Sequence, residues 1–273
     1  MSEVVVTGSF DDLRSHDVRF LEEARRLGEV TVILWPDEAV RLLTGKEPKF
    51  LQAEREYLLR SSRYVSRVEV APGRVELDSL PFAEDLEPEV WVVDEAGDNY
   101  EKRLYCASFG IGYRVVRSVD LLGWPQPDEH SEQRDGARPK VIVTGCYDWL
   151  HSGHVRFFEE AAQLGDLYVA IGHDANIRLL KGGAHPQFSQ EERRYMVQSV
   201  RYVHRALITS GQGWMDAAPE IERLHPDIYV VNEDGDQPEK RDFCREHRVE
   251  YIVLKRLPKP GLPRRESTTL RGY

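Results

Sequence analysis

Residues 144–154 read TGCYDWLHSGH, with His151 and His154 three positions apart around Gly153. Imidazoles at this spacing can ligate a metal, pack in a polar turn or hold phosphate. Zinc would need a third or fourth ligand, and none follows at a recognised spacing. Phosphate has more support. Gly153 lets the backbone pass close to a ligand, and a helix opening there would present unpaired amides and a partial positive charge. Two imidazoles at its mouth can donate hydrogen bonds to phosphate oxygens, and either can be cationic near neutral pH. Lys181, Arg264 and Arg265 add cationic donors, while Ser267, Thr268 and Thr269 add hydroxyls at what reads as another helix start. This is equipment for stabilising charge on a transferring phosphoryl centre, where positioning and electrostatics do most of the work.

Other side chains have blander readings. Asp148 and Asp174 can position a magnesium ion or a substrate. Cys146 lacks an evident activating partner, which argues against a thiolate nucleophile. Trp149 and Trp214 can line a pocket or simply pack. His173, His185, His204, His225 and His247 read as structural or exposed, the usual state of a solitary histidine.

The sequence carries its own control. Residues 7–17 read TGSFDDLRSHD, and half of the positions in 4–43 are identical to those in 141–180. Further on, Arg55 pairs with Arg193, Tyr64 with Tyr202, and Cys106 with Cys244. The chain is therefore two copies of one domain: residues 1–117, a linker over 118–138 rich in proline and charge, and residues 139–273. Both copies keep the Thr-Gly pair, Asp11/Asp148, Asp37/Asp174 and Arg55/Arg193, which suits a role in folding. Only the second has His151, Gly153, His154, Lys181 after its double leucine, and the final RRESTTLRG. These losses fall together, as if one constellation had been dismantled in the first copy.

The elements that would position this constellation alternate. KVIVTG reads as a strand, GHVRFFEEAAQLG as a helix ending at glycine, and LYVAIG as a strand. SQEERRYMVQSV reads as a helix capped by Ser189, with Glu192 three residues on. RALITS, GWMDAAPEIERL, DIYVVN, EKRDFCREH and EYIVLK continue the pattern. Strand–helix alternation with mostly apolar strands predicts an α/β fold of two tandem Rossmann-like domains, each a parallel sheet with helices on both faces. Such sheets bind ligands beyond the carboxyl ends of their strands, which is where TGCYDWLHSGH lies. The formal charge of −10 argues against a general nucleic-acid binder. No apolar run approaches the roughly 20 residues of a spanning helix, the N-terminus lacks signal-peptide features, and the three scattered cysteines suit a reducing compartment. The expectation is a cytoplasmic protein without a membrane span.

TGCYDWLHSGHVRFFEEAAQLGD resembles the signature of the cytidylyltransferase-type nucleotidylyltransferases, and RRESTTLRG resembles that superfamily's second signature. A lysine before Gly-Gly in the expected place extends the likeness across 139–273, with a degenerate echo over 1–117. The resemblance implies transfer of a nucleotidyl group from a nucleoside triphosphate, with Mg²⁺, to a phosphorylated small alcohol or sugar, releasing pyrophosphate. It implies that His151 and His154 hold the phosphates and stabilise the transition state, with Lys181 neutralising charge near the α-phosphate or acceptor. It implies that Arg265, Ser267, Thr268 and Thr269 grip the outer phosphates, and that Gly145, Cys146, Tyr147 and Gly153 line the nucleotide. Glu266 departs from the usual isoleucine, and two arginines precede it directly, so the working arginine is open between Arg264 and Arg265. The Thr-Thr variant favours CTP over ATP. The tandem arrangement is similar to that of ethanolamine-phosphate cytidylyltransferases and implies an intramolecular pseudo-dimer, although here the intact motif is in the second copy.

Overall fold

The computed structural model describes residues 2–72, 75–81, 86–126 and 138–270, with Thr268 and Thr269 described by their backbone alone. The chain divides into two compact units, Met1–Gly123 and Trp124–Tyr273. In the first, strands β1 (Glu3–Gly8), β2 (Glu29–Leu34), β3 (Arg67–Val70), β4 (Val90–Asp94) and β5 (Gly112–Val116) form one sheet. Its order is β3-β2-β1-β4-β5, and every described pairing is parallel. Helices α1 (Ser15–Arg25), α2 (Asp37–Thr44), α3 (Gln52–Ser61) and α4 (Tyr100–Phe109) connect the strands.

The second unit repeats the plan. Strands β6 (Lys140–Gly145), β7 (Asp166–Ile171), β8 (Val203–Ile208), β9 (Ile228–Asn232) and β10 (Glu250–Leu254) form a parallel sheet in the order β10-β9-β6-β7-β8. Its helices are α5 (Ser152–Ala161), α6 (Asp174–Lys181), α7 (Gln190–Gln198), α8 (Ala218–Leu224), α9 (Pro238–His247) and the short α10 (Ser267–Leu270). The expected pair of Rossmann-like α/β domains is what the chain forms.

Strand composition explains why both faces are covered. In β1, Val4 and Val6 enter one cluster with Leu21, Ala24 and Leu59, while Val5 enters another with Ile33, Trp91 and Cys106. A central parallel strand buried on both faces must be apolar at successive positions, as Val4–Val6 and Val141–Val143 are. Polar residues wait at the strand ends, where each sheet opens.

Three elements differ from the sequence expectation. The stretch GWMDAAPEIERL is a 3₁₀ turn at Gly213–Met215 followed by α8, because Pro219 suits a helix's first turn and Gly213 is held by bonds of its own. Helix α5 ends at Ala161, four residues before the expected glycine stop. The ends of the 118–138 segment are packed: Leu121 is buried in the first unit's core, Trp124 stacks on Tyr195 at 5.7 Å, and Arg194 donates to the Pro125 carbonyl at 2.9 Å. Residues 127–137 of that segment lie outside the described residues. Among the described residues no helix is long and apolar enough to cross a membrane.

Candidate nucleotidyl-transfer site

The carboxyl ends of β6, β7 and β9 open into a cleft of about 710 Å³, within the range of small-molecule sites. Gly145, Cys146, Tyr147, Asp148, His151, Gly153, His154, Lys181 and Ser267 all line it. Residues spread over more than 120 positions of sequence thus converge at the end of the central strand.

Local geometry fixes the histidines. His151 is the N-cap of α5, and its Nδ1 accepts the Gly153 backbone N–H at 3.1 Å. That bond assigns the proton of a neutral ring to Nε2. Nε2 is buried and has no partner among the described residues, so it is a donor waiting for an acceptor. His154 stacks on His151 with ring centroids 3.8 Å apart, and Tyr147 meets His154 edge-on at 5.2 Å. The Nδ1 of His154 and the hydroxyl of Tyr147 are likewise buried without a partner among the described residues. Three orphaned polar atoms in one lining are costly unless a ligand satisfies them.

The expectation that either imidazole is cationic near neutral pH does not hold. Burial, with Arg256 and Arg265 nearby, pushes the His151 pKa down to about 3. Burial, then the adjacent His151, holds His154 well below 6.5. Both rings are neutral at pH 7 and act through N–H dipoles.

Gly153 is also explained differently. A Cβ there would lie 3.0 Å from His151 Cε1 and 3.7 Å from the Arg265 carbonyl oxygen. The missing side chain makes room for the capping imidazole and the C-terminal segment. Gly145 plays a related part, since its Cβ would sit 2.7 Å from Tyr147 Cζ. Tyr147 itself has φ +51°, and Phe10 repeats this at +43° in the first unit.

Asp148 and Asp174, expected from sequence to position magnesium or a substrate, both hold protein partners, and of the two Asp148 lines the cleft. Asp148 accepts from the backbone N–H groups of Gln187 and Phe188 at 2.7 and 3.1 Å. Asp174 pairs with the buried Arg193 at 2.8 Å. The first unit repeats both: Asp11 accepts from Lys49 and Phe50 N–H, and Asp37 pairs with Arg55 at 2.7 Å. The same contacts in both units give these carboxylates a part in the fold. Among the described residues no three His, Cys, Asp or Glu side chains group to hold a metal ion.

The cationic side differs from expectation. Arg256, just past β10, lines the cleft and an adjoining crevice shared with Gly153, Lys255, Arg264 and Arg265. It donates to Asp234 and approaches the Arg265 carbonyl at 3.5 Å. Arg264 and Arg265 line the crevice alone, and Arg264 lies 3.6 Å from Glu266. Arg256 is the residue the motif reading missed; its position after the last strand, directly following LK, was the available signal. The side chains of Thr268 and Thr269 lie outside the described residues. Cys146 contributes its carbonyl, which accepts from Arg193 at 2.6 Å, while burial raises its thiol pKa and keeps it protonated.

In the first unit the histidines' places belong to Arg14 and Asp17. Arg14 N–H donates to Asp17, its guanidinium to Asp12 at 2.7 Å, and Lys49 reaches Asp12 at 2.8 Å. Paired charges stand where the second unit keeps unpaired donors.

A family model described as cytidylyltransferase-like matches residues 142–257. FAD synthase of Aciduliprofundum boonei is 36% identical over 125 residues, covering 45% of this chain and 80% of that protein. The chain belongs to the cytidylyltransferase-like nucleotidyltransferases. Another member, glycerol-3-phosphate cytidylyltransferase of Staphylococcus aureus, is 31% identical over 118 residues, covering 43% of this chain and 84% of the relative. The bifunctional protein HldE of Campylobacter curvus is 34% identical over 156 residues, and the match spans 33% of its length and 54% of this chain. The family model lies wholly within the second unit, the one that holds the paired histidines.

Proposed function

We propose that the second unit transfers CMP from CTP to a phosphorylated small alcohol or sugar and releases pyrophosphate. The observation that carries this is the pair of neutral, buried histidines with unpartnered ring nitrogens at the start of α5, in a cleft that also receives Lys181 and Arg256. The acceptor phosphate attacks the α-phosphorus in line, the bond to the bridging oxygen breaks, and pyrophosphate leaves with that electron pair. His151 Nε2–H and His154 donate to the phosphate oxygens, where charge concentrates in the transition state; the Gly153, His154 and Val155 amides of α5 are taken by His151 and hold the turn instead. Lys181 offsets charge beside the incoming acceptor; Arg256, Ser267 and the 264–265 arginines receive the departing pyrophosphate. Mg²⁺ would arrive as the nucleotide complex and offset charge on the triphosphate.

The preference for CTP rests on Ser267-Thr268-Thr269 and on the name of the staphylococcal relative. The FAD synthase relative, named for a product with an adenylyl half, supports ATP as the second reading. Incubating the protein with Mg²⁺, equal CTP and ATP, and a panel of phosphorylated alcohols and sugars decides between them. CDP-linked product with pyrophosphate is expected; ADP-linked product would replace CTP by ATP, and no turnover with either would sink the transferase reading.

A further inference from the structure

His151 is 1% exposed although it lines the cleft, and its unpartnered Nε2 is buried. A nitrogen that water cannot touch cannot meet a phosphate oxygen until its cover moves. Residues 255–266 supply part of that cover, leaving β10 and running past the start of α5. The Arg265 carbonyl oxygen would lie 3.7 Å from a Cβ on Gly153. Gly153, Phe157 and Glu160 of α5 share one crevice with Lys255, Arg256 and Leu257, and the fields of Arg256 and Arg265 both reach His151.

The first unit fastens the matching stretch by packing. Gly112 pairs with Val90 as Glu250 pairs with Ile228, which sets the two stretches in register, Leu121 against Lys259. Leu121 ends a 3₁₀ turn, Ser118–Leu121, and is buried in one cluster with Leu21 and Ala24 of α1. The preceding Asp120 carbonyl accepts from the buried Arg19 of α1 at 2.7 Å.

In the second unit Pro258 and Pro260 flank the same position, and Leu257 is 61% exposed. Lys259 reaches Glu159 of α5 at 2.6 Å, with 34% of the lysine side chain and 16% of the carboxylate side chain open to solvent. Glu159 is the fixed half of this pair: Arg156 holds it at 3.0 Å from the same helix, and the Tyr202 hydroxyl bonds to it. Arg256, bonded to Asp234 and close to the Arg265 carbonyl, is an ionic fastening at the base of the segment, and buried Leu270 anchors its far end. An apolar plug in one unit is thus an ion pair in the other. Burying a leucine is worth several times a part-exposed ion pair, so the first segment stays down and the second can lift. Salt weakens the ion pair and leaves the packed leucine in place.

We propose that residues 255–266 are a strap latched onto α5 by Lys259 and Glu159, and that its release uncovers His151 Nε2–H and admits the triphosphate. The latch stands on the geometry of the second unit alone; what it admits rests on the transferase reading, and two measurements separate their fates.

The first is hydrogen–deuterium exchange of the full chain without nucleotide, read by mass spectrometry on peptides covering 256–262. Raising NaCl from about 20 to about 500 mM should speed their exchange roughly two- to fivefold, the weight of one part-exposed ion pair. Peptides covering 118–122 should not respond, because Leu121 holds that stretch by packing. Lys259→Gln should exchange fast at both salt concentrations, and Lys259→Arg should behave as the native chain does. Exchange that ignores salt, an equal response at 118–122, or Lys259→Gln matching the native chain overturns the latch.

The second is the association rate of CTP with Mg²⁺, and separately of ATP, by stopped flow at low salt. Steering alone predicts that losing a cation slows the arrival of an anion. A latch predicts the opposite sign: Lys259→Gln should bind roughly two- to fivefold faster, because the open fraction rises. Slower or unchanged association overturns the admission role. The expected exchange pattern in a chain that binds neither nucleotide keeps the latch and overturns the transferase reading, together with the admission it would serve.

Discussion

His151 does two jobs with one ring. Its Nδ1 caps α5, which fixes the tautomer, and its Nε2–H has no partner among the described residues, as the proposed phosphate contact requires. Because the ring is buried and its pKa lies near 3, a preorganised dipole rather than an imidazolium meets the ligand. His154→Ala removes one such group and should lower turnover by about a hundredfold, read as pyrophosphate release. His151→Asn keeps a capping side chain, so α5 should survive while turnover falls on a similar scale. The same burial has a pH signature. In the unfolded chain these rings bind protons below about pH 6.5, whereas folded His151 does so only near pH 3. The unfolded state holds more protons throughout that window, so stability is full above pH 6.5 and falls as pH drops toward 3. Each histidine contributes a slope of about 1.4 kcal/mol per pH unit. Urea denaturation of the native protein from pH 7 to 4 should show this slope, and the His151→Asn, His154→Asn pair should flatten it. An unchanged slope would place the acid sensitivity elsewhere.

At the scale of elements, one arginine per unit ties the sheet's open end together. Arg193, 1% exposed, donates to the carbonyls of Phe188, Cys146 and Gly172 and to Asp174, joining the ends of β6 and β7 to α6 and the segment before α7. Arg55 makes the matching bonds to Phe50, Ser9, Trp35 and Asp37. Removing one partner of a buried pair costs roughly 3–5 kcal/mol, so Arg193→Ala should lower the second unit's stability by that amount in chemical denaturation. Arg193→Lys should recover little, because an ammonium cannot span four acceptors in fixed directions. These ties show what sequence can and cannot disclose. The alternation of apolar runs gave the sheet and helices, and the repeat separated His151, Gly153 and His154 from residues both units need. Arg193 was visible only as a repeated residue, and nothing in its spacing says that it bonds four segments. The bonds of His173, Asn176 and Thr209 are illegible for the same reason: three scattered polar residues acquire meaning only where the start of α6 meets the loop after β8. Arg256 is hard to single out in the sequence because Arg264 and Arg265 sit nearer the Ser-Thr-Thr segment, though the chain folds those two into the crevice.

At the scale of the whole molecule, one architecture occurs twice and is equipped once. The formal charge of −10 gives the chain as a whole no pull on an anionic ligand, so capture of the proposed substrates has to rest on individual groups of the second unit's cleft such as Lys181 and Arg256. The first unit keeps the five-stranded sheet, the arginine tie and the Asp11 turn, so what it lacks defines what catalysis needs beyond the fold. It has Arg14 and Asp17 for the histidines, Thr44 for Lys181, and Pro36, Ala39 and Ala71 where the second unit has His173, Asn176 and Thr209. If the histidine motif alone were sufficient, restoring it there would create a second site. The contrary is expected. In a chain already silenced by His154→Ala, adding Arg14→His, His16→Gly and Asp17→His should leave pyrophosphate release at the silenced level, because the grafted imidazoles would face Lys49 and Asp12 without a counterpart of Lys181 or a Ser-Thr-Thr segment beside them. Circular dichroism of the combined variant checks that the sheets persist, and isothermal titration with CTP and Mg²⁺ checks whether the grafted turn takes up nucleotide. Recovery of turnover to within about tenfold of the native rate would mean that His-x-Gly-His carries the transition state unaided; the unequal loss of the other groups would then have no catalytic meaning.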